Sequence, residues 1–111
     1  MRVIFDENVP APLRKFLSSH VVTTVQEQGW AGISNGDLVR KSDGVFDVLL
    51  LADKNLRYQQ NLADRQIALV ELPTNRWPIL QRILPQVTQA VDMATAGSYT
   101  IIDLPSRWGE T

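Results

Sequence analysis

The sequence predicts an α/β domain with a mainly parallel central sheet of four to five strands and helices on both faces. Three observations carry this. From Phe46 to Ala52 every position except Asp47 is apolar, as in a strand buried on both faces. Strand-like and helix-like stretches alternate along the chain, the layout of βαβ units. The apolar runs Val3-Ile4-Phe5 and Phe46 to Ala52 both stop at a carboxylate, Asp6 and Asp53, and in open α/β sheets ligands bind beyond the carboxyl ends of the strands.

Taken in order, residues 2–6 read as the first strand. Pro10 and Pro12 open a helix, where a missing N–H costs nothing, and Leu13, Phe16 and Leu17 fall on one face of it. His20 follows at the helix–strand junction as a surface or capping group. The β-branched run Val21 to Val25 reads as the second strand, with Gln28 to Gly32 as the loop beyond it. Ser34-Asn35-Gly36-Asp37 has the form of a capping box and starts a short helix through Leu38, Val39 and Arg40. Ser42-Asp43-Gly44 turns into the central strand. A brief helical segment is expected over Leu56 to Leu62, a fourth strand over Gln66 to Leu72, and Pro73-Thr74-Asn75 as the loop and N-cap of a longer helix. Trp77, Leu80, Ile83, Leu84, Val87 and Val91 mark that helix, which Pro85 should kink or break. Tyr99 to Leu104 supplies a fifth strand. The domain spans 1–104 and 105–111 form a polar tail with Trp108. Right-handed crossovers would bring the ends of the first and third strands to one edge.

The 111 residues are 44% hydrophobic and 21% charged, which suits a single globular domain and disfavours a disordered or repeat protein. No apolar run reaches membrane-spanning length and Met1-Arg2 enters a strand pattern directly, so a cytoplasmic location without a membrane partner is expected. There is no cysteine and one histidine, so a metal would be held by oxygen. The net charge of −1 gives no global field to attract nucleic acid. Arg14, Lys15, Arg40, Lys41, Lys54, Arg57 and Arg65 cluster in the first two thirds, either as a basic rim around an acidic centre or as an ordinary mixed-charge surface.

The acids suggest chemistry. Asp6 and Asp53 could cap the helices after their strands, and Asp37 could serve only its capping box. Together they would share one crevice, because the loop before Asp37 follows the second strand. Two carboxylates about 5 Å apart at an effective dielectric near 20 repel by on the order of 3 kcal/mol. A raised pKa or a bound divalent cation must offset that, and Mg²⁺ or Mn²⁺ prefers such oxygen ligands. Phosphodiester hydrolysis suits that constellation.

Asp6-Glu7-Asn8-Val9-Pro10, Asp37 near the start of a short helix, and Asp53-Lys54-Asn55 together resemble the small bacterial PIN-like proteins, relatives of PIN-domain nucleases and VapC-type toxins. Gly29-Trp30-Ala31, Ser34 to Leu38, Phe46 to Leu49 and Asn55 to Leu62, with its Tyr58-Gln59-Gln60-Asn61-Leu62 string, look like one subgroup of them. The resemblance implies a PIN-like fold, Mg²⁺ or Mn²⁺ at clustered acids, and cleavage of single-stranded RNA, often by a toxin paired with an antitoxin protein. Related toxins often form homodimers.

Carried over by position, Asp6, Asp37 and Asp53 are the metal-binding and catalytic acids. Asn8 and Asn55 would orient ligands or water, and Lys54, Arg57 and Arg40 would meet substrate phosphates. Asn55 stands where relatives often have a further Asp, and Leu51-Ala52 where they often have a hydroxyl residue. A catalytically silent partner-binding protein is one alternative, with Trp30, Trp77, Trp108 and the Tyr58 segment as its surface. A phosphoreceiver module using Asp53 is another, opposed by the absence of a lysine near a late strand.

Overall fold

A computed structural model describes residues 1–52 and 64–105. Five strands, β1 (Arg2–Phe5), β2 (Val21–Thr24), β3 (Val48–Leu51), β4 (Ala68–Glu71) and β5 (Tyr99–Ile101), form one sheet in the order β2-β1-β3-β4-β5. Every pairing is parallel. Val3 lies opposite Val48 and Val48 opposite Ala68, so the carboxyl ends of the three inner strands share one edge, as expected.

Both faces of the sheet are covered, which is why β3 reads as an unbroken apolar run. Because side chains alternate along a strand, Val3, Phe5, Val48, Leu50, Ala68 and Val70 enter one core with Leu13, Leu17, Leu80, Ile83, Val87 and Val91. Ile4, Leu49, Leu51, Ile67 and Leu69 enter the other with Val25, Leu38 and Val39. The first face is thus roofed by a 3₁₀ helix at Ala11–Leu17 together with α3 (Trp77–Leu80) and α4 (Leu84–Asp92), the second by α1 (Val25–Gln28) and α2 (Asn35–Ser42).

This layering departs from the expected uniform handedness. The β1–β2 and β4–β5 connections run over the same face but move in opposite directions along the sheet, so the two crossovers have opposite hands. The β2–β3 connection, over the other face, has the hand of β1–β2. Parallel crossovers are right-handed in about 98% of cases, and a uniformly right-handed sheet would carry α3 and α4 beside α2. The apolar stripe Leu80, Ile83, Val87 and Val91 instead completes the core begun by Leu13 and Leu17.

Local chemistry explains several boundaries. Thr24 caps α1 in a full capping box with Glu27, and Gly29, at φ 80°, closes it. That helix begins at Val25, inside the run expected to be strand. The expected break in the long helix falls at the 3₁₀ turn Gln81–Ile83, after which Pro85 sits in the first turn of α4. The N-cap of α3 is Arg76 rather than Asn75; the Thr74 hydroxyl accepts the Arg76 N–H at 3.2 Å. Phe16, expected in the core, is 46% exposed and meets Trp77 with ring centroids 5.8 Å apart.

Arg14 donates to the Val22 carbonyl at 3.0 Å and pairs with Glu27, covering the outer edge of β2 against further strand pairing. His20, expected at the surface or as a cap, is instead largely buried and bonds Asp92 through Nε2 at 2.6 Å, tying the start of β2 to the end of α4. The expected helix at Leu56 to Leu62, and Trp108 in the tail, lie outside the described residues.

Candidate functional site

The strand order reverses between β1 and β3. Chain leaves β1 toward β2 and leaves β3 toward β4, opening the crevice where doubly wound sheets bind ligands. Asp6 stands at its rim. Its N–H donates to the Leu50 carbonyl at 3.0 Å, extending the β1–β3 ladder, and its carbonyl accepts the Val9 N–H at 3.1 Å, turning the chain toward Pro10. These bonds hold the residue at 7% exposure. Alternation from Ile4 sends its side chain to the face covered by α2.

Asp37 belongs to the same edge. Asp43, just after α2, accepts the N–H groups of Gln66 and Ile67, each at 2.9 Å, so α2 ends at the amino end of β4. Its 8 residues span about 12 Å at 1.5 Å each, and its first turn therefore points toward the carboxyl edge. The Glu7 carboxylate accepts the Gly32 N–H, fastening the loop before α2 to the turn after β1. Ser34 caps the helix by accepting the Asp37 N–H at 3.2 Å.

The Asp37 carboxylate itself pairs with Arg40 on the exposed surface. The Arg40 hydrogen bond, then the Ser34 bond, hold its pKa below the usual aspartate range. Arg40, expected to meet phosphate, is thus engaged by one of the expected metal ligands. Asn8 is exposed in the turn after β1. Asp53, Lys54, Asn55 and Arg57 lie outside the described residues. Among the described residues no group of three His, Asp or Glu side chains is placed to hold a metal ion.

A further acid escaped the sequence reading. Glu71 ends β4 opposite Leu51 and is fully buried. The Tyr99 hydroxyl donates to its Oε1 at 2.9 Å. Alternation after Leu69 places it on the α2 face, across β3 from Asp6 and two strand spacings away, about 10 Å. The signal was present: a glutamate interrupts the apolar run Ile67 to Leu72, as Asp53 ends the run before it.

A cleft of about 430 Å³ opens at the opposite, amino edge between Met1, Arg2, Phe46, Asp47, Gln66 and Ala96. Its charged groups serve the fold: the Arg2 guanidinium lies over the Phe46 ring at 5.0 Å, and Asp47 accepts the Arg2 N–H at 2.8 Å. The buried carboxylates at the carboxyl edge, rather than this cleft, therefore define the candidate site. Comparison with family models, with curated proteins and with solved structures gives no match.

Proposed function

We propose that the chain is a metal-dependent endoribonuclease of PIN-like type, acting as the toxin-like member of a toxin–antitoxin pair. The observation that carries this is Asp6, a buried acid whose main-chain N–H and C=O are both hydrogen-bonded at the rim of the β1–β3 crevice. Asp53 follows the paired strand by two residues in sequence, and the first turn of α2 points Asp37 toward the same edge. The donor set suits a hard cation: carboxylates and amides, no cysteine, and a single histidine already bound to Asp92.

Asp6, Asp37 and Asp53 would hold Mg²⁺ or Mn²⁺, with Asp37 leaving Arg40 to do so. Such an ion lowers the pKa of a bound water and stabilises charge on a phosphodiester. Asn8 and Asn55 would orient ligands or water. Arg40, once released, would join Lys54 and Arg57 in meeting the RNA phosphates.

The test is cleavage of single-stranded RNA in Mn²⁺ by wild type and by Asp6→Asn and Asp53→Asn. Cutting by wild type that is lost in both variants supports the assignment. Wild type that leaves RNA intact, with no rise in melting temperature in saturating Mn²⁺ or Mg²⁺, favours the silent partner-binding reading. The phosphoreceiver reading has less support, because the described lysines, Lys15 and Lys41, precede β3.

A further inference from the structure

We propose that the helical face formed by Ala11–Leu17, α3 and α4 is a platform for single-stranded nucleic acid, with Phe16 and Trp77 stacking on bases and Lys15 and Arg76 meeting phosphates. It rests on the ribonuclease reading and names a second surface through which substrate would be held, away from the acids.

Charge is the first argument. Segments 10–20 and 73–94 carry Lys15, Arg76 and Arg82, beyond Arg14, which Glu27 pairs, against a single acid, Asp92, in a chain whose net charge is −1. Asp92 is itself bound to His20. Lys15 and Arg76 are exposed, and among the described residues neither forms an ion pair. The opposite helical layer lacks this excess: segment 25–45 carries Arg40 and Lys41 against Glu27, Asp37 and Asp43.

Aromatic exposure is the second. Phe16 is 46% exposed although core positions stand on either side of it at Leu13 and Leu17, and its ring lies at 39° to that of half-buried Trp77. Each ring follows a cation in sequence, Lys15-Phe16 and Arg76-Trp77, as each nucleotide pairs a phosphate with a base. Stacking on aromatic side chains beside a basic track is how single strands are bound without sequence preference. A peptide of acidic residues alone would use the cations and leave the rings uncovered. Arg76 and Trp77 also open α3 just beyond the carboxyl end of β4, so a strand crossing them continues along the edge that holds Asp6.

Fluorescence anisotropy of a labelled uridine oligomer of about a dozen nucleotides, in EDTA at low salt, reads binding without cleavage. Wild type should bind. Lys15→Glu combined with Arg76→Glu should weaken binding at least about tenfold and lower the slope of log affinity against log salt by about 1.4, or about 0.7 per phosphate contact. Phe16→Ser should weaken it about 5- to 150-fold, the loss of one stacked base. Both sets of variants change exposed side chains and should fold. No binding by wild type, or unchanged affinity in both, overturns the platform. Binding of polyglutamate in preference to the oligomer also overturns it and gives the face to an acidic protein. Wild type that binds the oligomer in EDTA yet leaves it uncut in Mn²⁺ keeps the platform and defeats the nuclease reading alone.

Discussion

The Tyr99 hydroxyl donates to Glu71 Oε1 at 2.9 Å across the β4–β5 pair, at a carboxylate with no exposed surface. A buried acid depends on its donors, because water cannot replace them. Tyr99→Phe removes this hydrogen bond while keeping the ring, and should lower unfolding free energy by about 1–3 kcal/mol, the cost of removing one partner of a buried hydrogen bond. Adding Glu71→Gln to the Tyr99→Phe variant should restore part of the loss, since the neutral amide is less costly to bury. Urea denaturation of the three proteins checks this; equal stabilities of wild type and Tyr99→Phe would show the bond to be incidental.

Gly29 and Gly97 separate two costs of adding a side chain. Both have positive φ, 80° and 76°, so alanine at either position should cost about 1–2 kcal/mol in backbone conformation. A Cβ at Gly29 would meet nothing within 4 Å, whereas one at Gly97 would come within 3.1 Å of the Arg65 carbonyl. Gly97→Ala should therefore be the more destabilising. The reverse order in chemical denaturation would remove the close contact as a factor.

The strands were legible because β1, β3 and β4 are buried on both faces, which leaves long apolar runs in the sequence. The start of α1 was not: Val25 continues a β-branched run, and only the Thr24-x-x-Glu27 spacing marks the helix. Phe16 fits a buried helical face by spacing, but the segment is a 3₁₀ helix and its ring turns outward to Trp77. Which face the β4–β5 connection crosses leaves no mark in a one-dimensional pattern, since an amphipathic helix fits either side. Asp6 was readable as a strand-end acid, and Glu71 passed unnoticed because Leu72 follows it and extends the apolar run past the acid. Asp37 has two roles in sequence, cap and ligand, and its ion pair with Arg40 belongs to neither expectation.

Glu27 sets an acid-sensitive contact. The Arg14 hydrogen bond first, then the Thr24 backbone N–H, hold its pKa below the usual glutamate range. A carboxylate whose folded pKa is depressed stabilises the fold above its unfolded pKa, about 4.3, and loses that contribution as pH falls through the folded value. Wild type should therefore exceed Glu27→Gln in stability at pH 7 and approach it at the acid end. Both partners are about half exposed, so salt should also narrow the gap. Melting curves across pH, at low and high salt, measure this; a gap that widens in acid would contradict the assignment.

Asp6→Asn distinguishes a functional carboxylate from a structural one by the sign of its effect. If Asp6 belongs to a cluster of acids built to hold a cation, removing its charge relieves repulsion in the metal-free protein. Stability should then rise by about 1 kcal/mol, or about 4–8 °C in melting temperature for a domain near 100 residues. Its buried position at the end of β1 makes the relief larger than at the surface, because solvent screens it less. The same substitution should abolish most of the Mn²⁺-induced rise in melting temperature expected of wild type. A carboxylate that only braced the turn into Pro10 would give the opposite result: loss of stability on substitution, and the same response to Mn²⁺ before and after. Thermal melts of both proteins in EDTA and in saturating Mn²⁺ separate the two outcomes.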